Sequence, residues 1–255
     1  MSADHQSHIK SSAWQARWID RFYRTRSGWR DGTTEFHGLC KDVAPRNAQI
    51  LEVGARPTNR TSAFLSTLGE LDGIDISDEV KSNEHLRQSY VFDGGAFPIC
   101  DASYDLVVSD YVVEHVARPI SHLKEIERVL RPGGCYAFRT PNRFHYVALA
   151  AKLTPFWVHS FVANRLRGLP VDAHEPYPTV FALNTPGAVR RQAGLAGLKV
   201  ERLDLVEKEP SYGMFARPAF LAMMAYERAV NALDSLAFLR ANLFVVLRKP
   251  STLAA

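Results

Sequence analysis

The chain reads as an α/β protein: a doubly wound, mostly parallel sheet of seven strands with helices on both faces. Three observations predict this. Five short apolar runs alternate with helix-length segments between residues 48 and 142, which is the pattern of βαβ units whose strands are buried on both faces. Each run closes on a polar residue or a glycine, and ligands of such sheets bind at those carboxyl ends. Two later runs, 198–203 and 243–248, supply the remaining strands.

Taken in order, residues 1–12 are small and polar without periodicity and read as a disordered tail. Trp14, Trp18 and Phe22 are spaced by four, so their rings share one helical face. That face can pack on the sheet edge or close over the ligand end as a lid. Strands follow at 48–54, 71–75, 90–94, 104–110 and 131–142. Between the last two, Ile120, Leu123, Ile126, Val129 and Leu130 recur with helical period, with Pro119 at the start and Pro132-Gly133-Gly134 beyond the end. Prolines at 155, 170, 176, 178 and 186 then break the alternation, so 143–187 is too long for a simple connection and reads as an insertion. A helix at 185–196 and the sixth strand restore the pattern. Residues 210–239 interrupt it again before the last strand. The expected organisation is a tail and lid helix over 1–40 and one large domain over 41–250, with insertions at 143–187 and 210–240.

The strand ends define a ligand. Glu52 and Gly54 close the first strand, with Ala55 and Arg56 following, and Asp75 closes the second. Asp75 lies 21 residues after Gly54, the spacing at which a carboxylate meets ribose hydroxyls in dinucleotide folds. A nicotinamide cofactor would want Gly-x-Gly-x-x-Gly for its pyrophosphate. The run here is Gly54-Ala55-Arg56-Pro57-Thr58-Asn59-Arg60, with a single glycine. A nucleoside cofactor without phosphates fits better.

The whole set resembles the class I S-adenosylmethionine-dependent methyltransferases over roughly residues 45–145. Leu51-Glu52-Val53-Gly54 is similar to their first motif and Gly73-Ile74-Asp75-Ile76-Ser77 to their ribose-binding acidic end. Asp93-Gly94-Gly95-Ala96-Phe97-Pro98 is similar to their adenine loop. Tyr104 to Ser109 with Val113-Glu114-His115-Val116 resembles their fourth strand, and Leu130-Arg131-Pro132-Gly133-Gly134 the turn before their fifth. The departure is Arg56, which stands where the family usually has a second glycine that lets backbone pass close to the cofactor. The resemblance implies a Rossmann-like domain binding S-adenosyl-L-methionine through Glu52, Gly54, Ala55, Arg56, Asp75, Ile76, Asp93, Gly94 and Ser109. Segments beyond the core, among them Thr140-Pro141-Asn142-Arg143-Phe144-His145 and Tyr226-Glu227-Arg228, resemble a bacterial branch associated with surface-polysaccharide and secondary biosynthesis. That likeness implies methyl transfer to a small-molecule or glycan acceptor.

Transfer to a hydroxyl also wants a base, and histidine has a pKa near the working pH. His145, just past the fifth strand, is the first candidate and His115, one turn past the fourth, an orienting or alternative base. Tyr23, Tyr146, His174 and Tyr177 are candidates for contacting the acceptor. His145 and His174 with Asp172 or Glu175 lack the tight spacing of a metal site, and no metal is expected. A cofactor-binding protein without catalysis, or a scaffold in a biosynthetic complex, is the alternative.

Composition bounds the partners. The 255 residues carry a net charge of +4 with basic residues scattered rather than striped, so no nucleic-acid partner is expected. The Asn-Pro-Pro-aromatic run of DNA amino-methylating enzymes is absent after the fourth strand, where Ser109-Asp110-Tyr111-Val112 stands. No run of about 18 uncharged apolar residues is present, so no transmembrane segment is expected, which leaves room for peripheral membrane contact. A homodimer is equally compatible. Three cysteines without paired spacing and an N-terminus without an apolar signal core fit a reducing cytoplasm.

Overall fold

Along the first strand, β1 (Ala48–Val53), Ile50 enters one apolar layer while Leu51 and Val53 enter the other. This period of two is what makes the sheet two-sided. The computed structural model describes residues 13–146 and 178–251, and the tail expected over 1–12 lies outside them. The chain folds into two units.

The larger unit comprises residues 32–143, 178–206 and the chain from 242. It holds β1, β2 (Gly69–Asp75), β3 (Gln88–Val91), β4 (Tyr104–Asp110), β5 (Leu130–Pro141), β6 (Lys199–Val206) and β7 (Asn242–Arg248) in one seven-stranded sheet of order β3-β2-β1-β4-β5-β7-β6. The first five strands are parallel, and β7 runs antiparallel to both β5 and β6. Order reverses between β1 and β4, which opens a crevice at their carboxyl ends.

Helices cover both faces. Phe36, Leu39 and Cys40 of α2 (Gly32–Val43) and Leu65 of α3 (Arg60–Leu65) pack with Ile50, Leu71, Leu106, Val108, Phe244 and Val246. On the other face, Leu123, Ile126 and Val129 of α4 (Pro119–Val129) and Val189 and Ala193 of α5 (Pro186–Leu195) join Leu51, Val107, Tyr136, Phe138 and Leu247. Each fully buried side chain of this kind stabilises the fold by roughly 1.5–3 kcal/mol relative to exposure. α4 starts on Pro119, whose missing N–H has no partner to lose, and ends where Leu130 turns into β5. The α5 entry is capped by Thr185, whose Oγ1 accepts from the Ala188 N–H at 3.2 Å. Cys135 is a buried free thiol among apolar side chains.

Several strand boundaries differ from expectation, two of them for a local reason. The third strand lies at 88–91 rather than 90–94, because Asp93 Oδ1 accepts from the Gly95 N–H at 2.9 Å and closes a turn there. Gly54 leaves the first strand at φ 79°, outside the β region.

The smaller unit is described over residues 13–31, 144–146 and 207–241. Its α1 (Ala13–Ile19) runs into a π-helical turn at Asp20–Arg24, and its longest helix is α6 (Arg217–Ala232). The expected aromatic face is present, and its partner is Phe220 of α6. Trp14, Trp18, Phe22 and Tyr23 surround that ring at 5.4–6.4 Å between centroids. The second interruption of the alternation is therefore helical. No described helix is long and apolar enough to cross a membrane.

Candidate active site

The loop after β1 is held by side chains that no motif singles out. Asn59 caps α3, its Oδ1 accepting from the N–H groups of Thr61 at 2.8 Å and Ser62 at 2.9 Å. Asn59 and Asn83 both donate to the Ala55 carbonyl and to Ser62 Oγ. Ser62 Oγ in turn donates to Glu52 Oε2 at 2.6 Å. Burial pushes the Glu52 carboxyl up to about 8, against the pull of that hydrogen bond. Only the N-cap pattern, an asparagine before a helical turn, signalled any of this.

The backbone of this loop has little freedom. A side chain at Gly54 would place its Cβ 2.3 Å from Val112 Cγ2, and its N–H donates to the Ile74 carbonyl at 2.8 Å. Ala55 is fully buried. Arg56 stands at φ 51°, the left-handed region a glycine would occupy without strain, and its carbonyl accepts from Asn83 Nδ2 at 3.2 Å.

Asp75 lies at the carboxyl end of β2, adjacent in the sheet to β1, and is buried. Its Oδ1 accepts from the Ser77 N–H at 2.8 Å. The next residue, Ile76, is exposed despite its apolar side chain. Asp93 and Gly94, at φ 85°, form the exposed turn after β3. Ser109 at the end of β4 is fully buried, and its Oγ accepts from Tyr136 OH at 2.9 Å. Its hydroxyl is thus engaged within the sheet.

Beyond Ser109, Asp110 pairs with Arg139 of β5, their short Nε–Oδ1 contact backed by an Nη2–Oδ2 bond of 2.8 Å. Thr61 Oγ1 donates to Asp110 Oδ2 at 2.8 Å, and Arg139 Nη2 donates to Thr33 Oγ1 at 3.0 Å. The pair ties the end of β4 to β5, α2 and α3. Glu114 is also buried: Thr140 Oγ1 donates to its Oε2 at 3.0 Å, and burial pushes its carboxyl up to about 7. His115 follows in a 3₁₀ turn, its Nδ1 3.2 Å from the Pro178 carbonyl. A carbonyl only accepts, so Nδ1 is the nitrogen that donates in that contact.

The other histidine candidate belongs to the smaller unit. His145 Nε2 lies 3.5 Å from Glu207 Oε2, and the ring stands 4.1 Å from Tyr146 and 5.9 Å from Tyr226. Burial lowers the His145 pKa to about 4 and raises that of Glu207 to about 8. Tyr23 is buried as well, its OH donating to Glu227 Oε2 at 3.2 Å. The structure therefore groups His145 with Tyr146 and places Tyr23 in the same unit. The cofactor candidates Glu52, Gly54, Ala55, Arg56, Asp75, Ile76, Asp93, Gly94 and Ser109, together with His115, all belong to the sheet unit. His174 and Tyr177 lie outside the described residues. Among the described residues, no three His, Cys, Asp or Glu side chains are placed to hold a metal ion.

A sheet of this order, with buried carboxylates closing β1 and β2 and a glycine between them that admits no side chain, defines a nucleoside-binding α/β domain. Residues 51–138 match the methyltransferase domain family. A Mycolicibacterium smegmatis protein described as a "Probable S-adenosylmethionine-dependent methyltransferase" is 45% identical over 127 residues, 47% of this chain and 49% of that one. A malonyl-acyl-carrier-protein O-methyltransferase of Pseudescherichia vulneris is 29% identical over 106 residues, 40% of this chain and 42% of that one. An S-adenosylmethionine-dependent methyltransferase structure from Mesorhizobium loti superposes with a TM-score of 0.54 at 16% identity, covering 86% of this chain and 99% of that one. The cyclase SpnF superposes with a TM-score of 0.55 at 16% identity, covering 89% and 85%. The matches span about half, or less, of the curated relatives' lengths. Residues 51–138 are thus similar to methyltransferase domains, and the fold is that of S-adenosylmethionine-dependent methyltransferase structures.

Proposed function

We propose that the protein methylates a small-molecule or glycan acceptor in the cytoplasm, by in-line transfer to oxygen. The observation that carries this reading is that buried Glu52 and Asp75 lie toward the carboxyl ends of adjacent strands, with Gly54 following the first at a point where no side chain fits. In this reading Asp75 Oδ2 takes the ribose hydroxyls, since Oδ1 is committed to Ser77. Exposed Ile76 and the Asp93-Gly94 turn receive the adenine. Gly54, Ala55 and Arg56 present backbone to the methionine end, with Glu52 beneath them and Ser109 contributing through its main chain. S-adenosylmethionine supplies the electrophilic methyl group. The protein aligns the acceptor and excludes water.

For the base we favour His115 over His145. The Pro178 contact engages His115 through Nδ1 and orients its ring, whereas His145 is buried and its depressed pKa makes it a weak proton acceptor. Tyr23, Tyr146, His174 and Tyr177 remain the proposed acceptor contacts.

Calorimetric titration with S-adenosylhomocysteine and a turnover assay test this together. Losing a charge-assisted bond costs about 1.5–3 kcal/mol, so Asp75→Ala should weaken binding at least about tenfold while the fold persists. His115→Gln should keep that affinity and lose turnover by about 10²–10⁴-fold. Unchanged binding in the first variant would sink the ribose assignment. A second reading, cofactor binding without methyl transfer, draws support from Arg56 at the second-glycine position. It predicts full affinity with no turnover on any hydroxylated sugar or phenol screened.

A further inference from the structure

Asn83 belongs to no motif, yet it is 5% exposed and joins the segment after β2 to the segment after β1. The 3₁₀ turn Asp78–Ser82, which follows Asp75 and Ser77, ends on it, and its N–H donates to the Val80 carbonyl at 3.2 Å. Its Nδ2 faces three oxygens beyond β1: Ser62 Oγ at 2.9 Å, the Arg56 carbonyl at 3.2 Å and the Ala55 carbonyl at 3.3 Å. Its Oδ1 accepts from the His85 N–H at 3.1 Å. That bond fixes which way the amide points, since a flip would set its oxygen against two carbonyls. The Glu84 N–H adds a longer bond to Thr58 Oγ1 at 3.4 Å.

The direction of one proton follows. A serine hydroxyl has one hydrogen and two lone pairs. Asn59 Nδ2 and Asn83 Nδ2 donate to Ser62 Oγ at 2.8 and 2.9 Å and fill both lone pairs. The Ser62 hydrogen is left to Glu52 Oε2 at 2.6 Å, so that oxygen is an acceptor, and any proton that Glu52 carries sits on Oε1. Backbone direction is set in the same way. A trans peptide puts its C=O and N–H on opposite sides. With the Ala55 carbonyl drawn toward Asn59 and Asn83, the Arg56 N–H faces away from them.

We infer that Asn83 is a positioning residue of the cofactor site: it orients the Ser62–Glu52 bond and the Ala55–Arg56 backbone that receive the methionine end of S-adenosylmethionine. In this role, which rests on the cofactor placement proposed above, its two amide hydrogens are already shared among three oxygens. Asn83 therefore acts through those oxygens rather than by touching the cofactor. Removing it loosens the methionine end and leaves the nucleoside end, held by Asp75, in place.

Two probes separate the ends of the cofactor: S-adenosylhomocysteine, and 5′-methylthioadenosine, which keeps the nucleoside and the sulfur but lacks the amino-acid end. In calorimetric titration of the full chain, Asn83→Ala should weaken S-adenosylhomocysteine about tenfold or more and leave methylthioadenosine within about twofold. Asn83→Asp keeps the shape but exchanges a donor for an acceptor, which draws the Ser62 hydroxyl away from Glu52, and should show the same split. A side chain that served only the fold would weaken both probes alike. Equal losses on the two probes, or unchanged S-adenosylhomocysteine binding in either variant, would overturn the assignment. Should neither variant fold, exchange of the Asn83 side-chain amide protons in the unmutated chain decides. S-adenosylhomocysteine should slow it and methylthioadenosine should not, and an equal response to both would be as damaging. Asp75→Ala, run beside these samples, should weaken both probes. Failure of the cofactor placement thus shows as a flat Asp75→Ala result, and failure of the Asn83 role as an absent split.

Discussion

Arg56 holds a backbone conformation that costs an L-residue roughly 1–2 kcal/mol and a glycine almost nothing. Asn83 and Asn59 fix the loop around it, so the surrounding hydrogen bonds must carry that cost. Arg56→Gly should accordingly stabilise the protein by up to about 1 kcal/mol, as read from the midpoint of chemical denaturation, with cofactor affinity equal or higher. A destabilised variant would mean that the guanidinium contributes more than the backbone loses. At this scale the strand-end places of the candidate cofactor residues were legible because a motif writes them there. Glu52, Gly54 and Asp75 needed only their order and spacing. Asn59, Ser62 and Asn83 were not legible, since an amide bonding a carbonyl 28 residues away leaves no periodicity behind. His145 is the converse case. Its position past the fifth strand suggested a base, while its burial and its neighbour Glu207 are encoded nowhere local to it.

Among the elements, β4, β5, α2 and α3 are joined by the Asp110–Arg139 pair, whose side chains are only 15% and 8% exposed. Removing one partner of such a pair leaves a buried charge and typically costs about 3–5 kcal/mol, whereas replacing both with apolar groups is often nearly neutral. Asp110→Ala should show a loss of that order in denaturant melts. The double variant Asp110→Leu with Arg139→Met should recover most of it. Failure of the double variant to recover would indicate that Thr33 and Thr61 depend on the pair for their own placement. Element types followed from the apolar rhythm, since strands buried on both faces and α4 with its Pro119 start are strongly patterned. The pairing of Asp110 with Arg139, 29 residues apart, is a product of strand register and is invisible before it.

Across the whole molecule, several ionisable groups are buried in their neutral forms. Glu52, Glu114 and Glu207 are raised to about 8, 7 and 8, while His122 and His145 are lowered to about 4. The raised carboxyls keep protons in the folded state that the unfolded chain has already released, so their contribution falls as pH rises from the ordinary carboxylate range toward 8. The histidines act in the opposite direction, and their contribution is lost as pH falls through the range from about 6.5 to 4. Between about pH 7 and 8 the carboxyls act almost alone. The melting temperature of the cofactor-free protein should therefore drop across that interval. A flat or rising profile in scanning calorimetry would contradict the buried, protonated assignment. Saturating cofactor should flatten the drop if Glu52 is part of its site.

β7 comes from the far end of the chain yet lies inside the sheet, between β5 and β6. The consequence concerns manufacture. A ribosome delivers β5 and β6 well before residues 242–248, and until those emerge both strands present open hydrogen-bonding edges on apolar backbone. Partial zipping along β1 to β5 can proceed, but the sheet cannot close in the order in which it is made. A nascent chain stopped just before Asn242 should remain protease-sensitive through β6, and one extended past Arg248 should gain protection in a single step, measurable by limited proteolysis of arrested ribosome complexes. Protection of β6 before β7 appears would mean that the two strands find other partners first. The growing chain is thus committed late, and a chaperone that shields open strand edges would have its longest engagement in the interval between the sixth strand and the seventh.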